Sequence, residues 1–329
     1  MRSLVLVLLA ACSSHAASTT ADSAPGGDDG NAGTGSAGSA IQTTLGPITG
    51  IPDGDAIAYE GIPYAAPPIG DLRWRPPQPA PPWTATRAMT AFGSACVQID
   101  LASGGSAGAG GSEDCLTLNV WTPRTPSSAP LPVLVFIHGG YFVQGEASLV
   151  WHGETVYDGA YLAATGPAIA VTIQYRLGAL GFLDDARLAT GGDASANFGL
   201  LDQIAALQWV RANAAAFGGD PSRVAIFGQS AGGSSVCALL AAPLAAGLFS
   251  AAMIQSGGGC LAESATDAQA QTAAFTAAVG CGSASDVAAC ERALPAEQVA
   301  TALTGAVTGA NHWRPAVDGK ARPRSRSTC

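Results

Sequence analysis

The stretch VAIFGQSAG, from Val224 to Gly232, decides the fold of this chain. Its first four residues form an apolar run, which is typical of a strand buried on both faces of a parallel sheet. The residues after Ser230 (AGGSSV, 231–236) are typical of the start of a helix. A serine between such a strand and helix lies at a sharp, strained turn, which flanking glycines tolerate and which raises the hydroxyl above the sheet. The pattern predicts that Ser230 is a nucleophile; a turn serine without chemistry is the alternative.

Other apolar runs predict further strands of the same sheet. Leu131–Ile137 and Ala168–Ile173 are short and rich in β-branched residues, and Ala251–Ile254 is a weaker candidate. Between the second run and Val224, apolar residues at 200, 201, 204, 207 and 210 share one helical face, with Asn197 placed as an N-terminal cap. Strand, helix and strand with short connections favour right-handed crossovers. We therefore expect an α/β fold with a mostly parallel sheet and flanking helices.

Composition excludes several classes of protein. The chain has 329 residues, 48% of them hydrophobic, which suits one large or two small globular domains. A net charge of −9 argues against a nucleic-acid partner, because phosphates would repel it. No run reaches the 18 or so apolar residues that a membrane-spanning helix needs. Clustered metal ligands are also lacking, so neither a metal nor an organic cofactor is expected.

The amino terminus has the pattern of an export signal. Residues 1–11 carry one basic residue and a short apolar run, which is too short to span a membrane. The end of that run, LAAC (9–12), resembles the lipobox of bacterial lipoprotein precursors, which implies cleavage before Cys12 and lipidation of its thiol. An ordinary secretory signal is the alternative. Residues 12–40 are mainly Ser, Thr, Ala, Gly and Asp, and we expect them to form a flexible tether.

Several motifs resemble one known family. The run FGGDPSRVAIFGQSAG (217–232) resembles the nucleophile signature of the type-B carboxylesterases, relatives of the cholinesterases, and EDCLTLNV (113–120) resembles their second signature. Further matches follow in the family's order: GIPYA (61–65), YRLG (175–178), GFL (181–183) and NFGLLDQ (197–203). The resemblance covers about residues 41–319. It implies an α/β-hydrolase fold and hydrolysis of a small-molecule ester through an acyl-enzyme on Ser230.

The resemblance also assigns donors for the oxyanion. The run HGGYF (138–142) resembles the family's oxyanion loop, which implies that the backbone N–H groups of Gly140, Tyr141 and Ala231 bind the oxyanion. Small residues are usual at the position of Tyr141, so we expect its ring to narrow the acyl side of the pocket. His138, by the same resemblance, is structural.

Two more polar residues have less specific roles. Ser256 matches a serine that supports the catalytic acid in relatives, with a loop hydroxyl as the alternative. His152 lies in a polar stretch and is expected at the surface.

The cysteines fit an exported protein, in which pairs that close short loops are expected. Cys96 with Cys115 and Cys281 with Cys290 are the natural pairs, and they are also the pairs that the resemblance implies. Cys237 lies in an apolar stretch, where we expect a buried free thiol. The loop 97–114 contains no aromatic residue, so we do not expect choline esters as substrates.

The base and the acid of a triad are not evident in this sequence. A serine nucleophile needs a histidine oriented by a carboxylate, and the order in this fold is serine, acid, histidine. His312 is the one histidine after Ser230, and it precedes WRPAVDG (313–319), which resembles a family stretch upstream of both partners. We therefore expect the acid, the base and the last strands beyond Cys329. His312 as a substitute base is the alternative, although no carboxylate partner is evident for it.

The final residues differ from the rest of the chain. Residues 320–329 contain four basic residues and no acidic one, which is typical of a frameshift or premature stop; a genuine basic tail is the alternative. We predict an incomplete, inactive ester hydrolase whose domain covers 41–319. The competing hypothesis is a non-catalytic, cholinesterase-like binding or adhesion protein.

Overall fold

The computed structural model describes residues 40–100, 109–188, 196–257, 262–303 and 313–318. All the described residues belong to one compact unit of the chain. The predicted leader, most of the tether and the basic tail lie outside the described residues, as do Cys12, Cys260, His312 and Cys329.

Most of the described strands precede the first α-helix, and the last three α-helices follow the final strand. The strands are β1 (Ile41–Gln42), β2 (Pro47–Thr49), β3 (Ile51–Asp53), β4 (Ala56–Pro63), β5 (Arg87–Ala88), β6 (Gln98–Ile99), β7 (Ala109–Gly110), β8 (Thr117–Pro123), β9 (Leu131–Ile137), β10 (Val150–Trp151), β11 (Glu154–Thr155), β12 (Ile169–Ile173), β13 (Gly219–Gln229) and β14 (Ala251–Gln255). The helices are α1 (Ala160–Thr165), α2 (Gly178–Phe182), α3 (Phe198–Asn213), α4 (Ala231–Ala241), α5 (Ala265–Ala278), α6 (Val287–Arg292) and α7 (Ala296–Thr301).

A seven-stranded sheet organises these elements in the order β14-β13-β9-β12-β8-β4-β3. Strands β14, β13, β9 and β12 run parallel, as their apolar sequences predicted, while β8, β4 and β3 pair antiparallel at the other side. Carboxyl ends of parallel strands meet at one edge of a sheet, and ligands bind there in open α/β folds. The segments after β9, β12, β13 and β14 therefore lie at one edge.

The predicted helix between β12 and β13 is α3, and its cap differs from the prediction. Asn197 precedes α3 with a left-handed backbone (φ 62°), but its side chain makes no cap hydrogen bond. It instead bonds the backbone of Ala316, donating from Nδ2 to the oxygen at 2.9 Å and accepting from the nitrogen at 2.8 Å. A buried peptide group needs hydrogen-bond partners, and Asn197 supplies both of them for Ala316.

A buried ion pair fixes the carboxyl end of β12 to α3. Arg176 donates from Nε and Nη2 to the two carboxylate oxygens of Asp202, at 2.7 Å each, and both side chains are buried. A bidentate pair of this kind is geometrically specific, and removing one partner would leave a buried charge. The pair therefore holds the loop after β12 in a fixed position.

The two predicted disulfides are confirmed, and the expectation for Cys237 is wrong. Cys96 pairs with Cys115 and Cys281 with Cys290, which is typical of exported proteins. Cys237 is buried as expected, but it is disulfide-bonded rather than free. Burial follows from an apolar sequence, whereas pairing depends on a second cysteine that only the tertiary structure brings near.

Strand β14 forms the edge of the sheet beyond β13. All five of its residues are exposed, and the large side chains of Met253 and Ile254 are 58% and 44% exposed. The weaker strand signal at 251–254 is thus confirmed, but as an open edge rather than a buried strand. Within the described residues, no helix is long and apolar enough to cross a membrane.

Candidate active site

Ser230 lies between the last residue of β13 and the first residue of α4, as the sequence predicted. Its backbone is strained, with φ 56° and ψ −119°. Such a conformation costs a residue with a β-carbon about 1–3 kcal/mol and persists only where the surroundings enforce it. Two hydrogen bonds do so: the Ser230 N–H donates to the oxygen of Gln255 at 2.9 Å, and the Ser230 oxygen accepts from the N–H of Ser234 at 3.0 Å.

The glycines on either side of Ser230 are required by close packing. A β-carbon at Gly228 would lie 2.5 Å from backbone atoms of Gly232. One at Gly232 would overlap the carbonyl oxygen of Ile137 and lie 2.7 Å from that of His138. Gly228 and Gly232 therefore permit the sharp turn at Ser230, and they also let α4 pack directly on the end of β9.

The loop after β9 lies directly against the nucleophile. A β-carbon at Gly139 would be 3.1 Å from the β-carbon of Ser230 and 2.7 Å from the carbonyl oxygen of Gln229. The next three residues all have positive φ: 107° at Gly140, 57° at Tyr141 and 63° at Phe142. The N–H groups of Val143 and Gln144 close a turn on the oxygen of Gly140, and successive N–H groups in turn conformations can form concave sites that bind anions.

Three backbone N–H groups near Ser230 have no acceptor among the described residues. Within the described part of the chain, no hydrogen bond has the N–H of Gly140, Tyr141 or Ala231 as its donor. Ala231 is the first residue of α4, where the N–H has no intrahelical acceptor and the helix dipole favours negative charge. In the described part of the chain, the donors that the resemblance assigned to the oxyanion therefore have no protein acceptor.

Tyr141 is exposed while its neighbours are fixed. The N–H groups of Val143 and Gln144 donate to the oxygen of Gly140 at 3.1 and 3.0 Å, and the oxygen of Phe142 accepts from Gly178 at 2.7 Å. Phe142 is buried, but the side chain of Tyr141 is 65% exposed and makes no hydrogen bond in the described residues. The ring of Tyr141 is therefore free to meet a ligand.

His138 has the properties of a structural residue. Its ring is buried and stacks on Tyr175, with centroids 4.4 Å apart, and its Nδ1 lies 2.9 Å from the oxygen of Gly139. Burial lowers the pKa of His138 to about 4, so the ring is neutral at pH 7. The Tyr175 hydroxyl also donates to the His138 oxygen at 2.9 Å. In the sequence, Tyr175 is part of the YRLG motif (175–178), and no local pattern predicts its contact with His138.

Among the described residues, none of the other candidate residues makes a hydrogen bond with Ser230. His152 is at the exposed tip of the β10–β11 hairpin, with its ring against Trp151. Ser256 follows β14 with φ 50° and is exposed. Neither described histidine makes a hydrogen bond to Ser230. In the ranges that the structure describes, a proton acceptor for Ser230 is therefore not in place.

A cavity of about 620 Å³ is lined by α5 and by the segments 184–187 and 317–318, without Ser230. Among the described residues, no group of three His, Cys, Asp or Glu side chains could hold a metal ion.

Known proteins are similar to this chain over most of its length. A sequence model of the carboxylesterase family matches residues 37–327. The chain is 48% identical to para-nitrobenzyl esterase of Bacillus subtilis (strain 168) over 220 residues, which are 66% of this chain and 43% of that protein. It is 44% identical to fumonisin B1 esterase of Sphingopyxis macrogoltabida over 218 residues, 66% of this chain and 39% of that protein. It is 46% identical to acetylcholinesterase of Gallus gallus over 259 residues, which are 73% of this chain and 33% of that protein.

Solved structures give the same result. A PNB esterase superposes with a TM-score of 0.77 at 40% identity, covering 87% of this chain and 58% of the other. A carboxylesterase of Geobacillus stearothermophilus gives 0.75 at 37% identity, with the same coverage. The chain thus spans less than half the length of the three curated relatives, which are the para-nitrobenzyl esterase, the fumonisin B1 esterase and the acetylcholinesterase. The family's sequence model, the motifs and the sheet agree, and the chain belongs to the carboxylesterase family, with its α/β-hydrolase fold.

Proposed function

We propose that this chain carries the nucleophile of a serine carboxylic ester hydrolase. The Ser230 hydroxyl attacks the ester carbonyl while a general base takes its proton and later gives it to the leaving alcohol, and the carbonyl oxygen becomes an oxyanion. The bond to the alcohol then breaks, and the alcohol leaves with a proton. Water hydrolyses the resulting acyl-enzyme to release the carboxylic acid. Substrate, water and Ser230 account for every atom, so the reaction needs no cofactor.

The observation that carries this proposal is the set of unpaired donors beside Ser230. Gly139 packs against Ser230, so the N–H groups of Gly140 and Tyr141 lie on a loop that contacts the nucleophile, and Ala231 follows it directly. Donors fixed before the reaction stabilise the oxyanion more than the neutral carbonyl, and one such donor is worth about 3 kcal/mol of the barrier. A turn serine without chemistry would not require this arrangement.

We propose further that the base and the acid come from sequence downstream of Cys329. His138 is buried against Tyr175, and His152 lies on a separate hairpin. The relatives are longer than this chain, which leaves room for both partners. By this proposal the chain by itself hydrolyses esters little, because no described residue is placed to take the proton of the Ser230 hydroxyl.

A fluorophosphonate probe tests both parts. The 329-residue chain and a chain extended through the downstream DNA, read in each frame, are labelled side by side. We expect strong labelling and turnover of p-nitrophenyl acetate in one extended form, both lost in Ser230→Ala and kept in the control Ser127→Ala, an exposed loop serine. Rapid turnover by the 329-residue chain would contradict the need for downstream residues. If no extended form is labelled, the non-catalytic binding or adhesion hypothesis replaces the enzyme.

We also propose that the protein is exported and held at a membrane by a lipid on Cys12, with residues 12–40 as a tether. The two disulfides support export to an oxidising compartment. Metabolic labelling with palmitate in a bacterial host tests the anchor. Incorporation that is lost in Cys12→Ser is expected, whereas secretion of unlabelled protein would favour an ordinary signal peptide.

A further inference from the structure

A cluster of charged groups, mostly buried, lies beside the cavity of about 620 Å³. Asp185, Arg187 and Thr276 line that cavity, the first two in the segment 184–188 and the third on α5. Glu291 of α6 is fully buried and lies against these three side chains. Two carboxyl groups therefore share one guanidinium where this segment meets α5 and α6.

The hydrogen bonds in this cluster are divided unequally between the two carboxyl groups. Arg187 donates to both oxygens of Asp185, from Nε at 2.8 and 2.9 Å and from Nη2 at 2.5 Å. Oε1 of Glu291 accepts from the Thr276 hydroxyl at 2.5 Å, and Nη2 of Arg187 lies 3.6 Å from that oxygen. Among the described residues, no donor reaches Oε2 of Glu291, which is buried. A buried carboxylate oxygen without a donor is costly, so the cluster needs one more hydrogen.

A proton on Glu291 supplies that hydrogen. The carboxylate of Asp185 lies within hydrogen-bonding reach of the Glu291 carboxyl, and two carboxylate oxygens bond each other only through a proton, because both are acceptors. Burial raises the pKa of Glu291; the Thr276 hydroxyl and Arg187 oppose that shift, and the charge of Asp185 adds to it. With the proton the cluster is neutral, whereas two carboxylates and one guanidinium would leave a buried negative charge.

The other charged group of α6 does not face this carboxyl. Arg292, next to Glu291, donates instead to the backbone oxygens of Arg73 and Leu188, at 3.3 and 3.4 Å. On the facing elements, the groups that act on Glu291 are those already named, on α5 and in the segment 184–188. The charge of Glu291 therefore acts mainly on the contact between α6 and that segment.

We infer that Glu291 and Asp185 share one proton and form a pH-sensitive latch, which holds the segment 185–188 against α5 and α6. Water supplies the proton, which binds Oε2 of Glu291 and forms a hydrogen bond to the carboxylate of Asp185. When Glu291 returns the proton to water, the two carboxylates repel each other and the latch opens. Because Asp185 and Arg187 line the cavity, opening the latch loosens that part of its wall. The latch does not depend on the esterase reaction.

The direction of the pH effect follows from the two states of Glu291. In the unfolded chain its pKa has the ordinary value of 4.5, and burial raises that pKa in the folded protein. The folded state therefore binds more protons above this value. The stability that the latch contributes is complete below about pH 4.5 and is lost as the pH rises through the raised pKa. The Asp184 oxygen accepts from the Thr272 hydroxyl at 2.8 Å, and this bond does not titrate, so the segment stays attached at its start.

Carbon-13 NMR of the full chain, labelled at the glutamate carboxyl carbons, tests the shared proton. The chain has seven glutamates, and the signal that is absent from Glu291→Gln identifies Glu291. We expect this signal to titrate at a higher pH than that of Glu297, an exposed residue of α7. In Asp185→Asn the pKa of Glu291 should fall, because the neighbouring negative charge is gone. Titration of Glu291 together with Glu297 would overturn the inference, and so would an unchanged pKa in Asp185→Asn.

Hydrogen exchange tests whether ionisation opens the latch. The amide of Glu291→Gln can donate to Asp185 as the protonated carboxyl does, but it cannot ionise. At about pH 8, we expect the amides of the segment 185–188 and of α6 to exchange several-fold faster in the unmodified chain than in this variant, and at about pH 5 to exchange equally. Comparison at the same pH removes the intrinsic effect of pH on exchange.

Glu297→Gln is the matched control and should exchange like the unmodified chain at both pH values. The same ratio of exchange rates between the unmodified chain and Glu291→Gln at both pH values would show that Glu291 only packs. If Glu291→Gln does not accumulate, sequential assignment of the unmodified chain identifies the Glu291 signal, and its titration decides.

Discussion

The backbone N–H of Ser230 donates a hydrogen bond of 2.9 Å to the carbonyl oxygen of Gln255, the last residue of β14. The strained nucleophile turn is thus fixed by the strand at the open edge of the sheet. Substitutions in the elements around this turn are therefore expected to have measurable effects.

Gly232 is predicted to tolerate no side chain. Gly232→Ala would push a β-carbon into the carbonyl oxygen of Ile137, and overpacking of this kind costs about 1–3 kcal/mol. We expect the free energy of unfolding, measured in urea, to fall by that amount. Gly282→Ala is the control, because a β-carbon there meets nothing within 4 Å. Equal stability of the two variants would refute the packing argument.

Tyr141 is predicted to limit the size of the acyl group. Its exposed ring follows a loop that contacts Ser230, so Tyr141→Gly should open the acyl side. In an active extended chain, we expect kcat/KM for p-nitrophenyl hexanoate relative to acetate to rise several-fold. Tyr141→Phe keeps the ring and should leave the ratio unchanged, because the hydroxyl makes no hydrogen bond in the described residues. An unchanged ratio in Tyr141→Gly would place the ring away from the substrate.

His138 is predicted to make the fold sensitive to acid. Burial lowers its pKa to about 4 in the folded protein, while in the unfolded chain it binds a proton near pH 6.5. The unfolded state therefore binds more protons between these values, and stability falls as the pH drops from about 6.5 to 4. His138 therefore lowers the free energy of unfolding by about 3 kcal/mol over that pH range.

Urea unfolding at pH 7 and at pH 4 measures this effect. In His138→Phe the difference in unfolding free energy between the two pH values should be smaller by roughly that amount, because no imidazole remains to be protonated. The comparison between variants removes the contribution of the carboxylates, which both proteins share. An equal pH dependence in the two proteins would show that His138 titrates normally.

The open edge of β14 is predicted to make the chain aggregate. An exposed, apolar edge strand is a template for pairing with another chain, and a lysine on it opposes that pairing. We expect Met253→Lys to raise the fraction of protein that stays soluble several-fold. Light scattering at equal protein concentration measures the aggregates. Val156→Lys is the control, since Val156 is also exposed but lies outside the edge strand. An equal gain in both variants would indicate a general effect of charge.

Much of the parallel part of the fold was predictable from local sequence. The runs at 131–137, 168–173 and 224–227 are apolar because both faces of their strands are buried, and that requirement is visible in each run alone. The antiparallel strands β8, β4 and β3 were not identified as strands. Their pairing depends on contacts between residues far apart in the chain, which no local sequence pattern predicts.

For the candidate site, the sequence by itself determined which residues meet at the turn. GQSAG requires a strand, a strained serine and a helix, because only glycine fits where α4 packs on β9, and HGGYF supplies a loop with positive φ. The tertiary structure decided what lies around them: that His138 is neutral and stacked on Tyr175, that Asn197 bonds Ala316 instead of capping α3, and that Cys237 is paired. These outcomes depend on residues far apart in the chain, and only folding brings such residues within bonding distance.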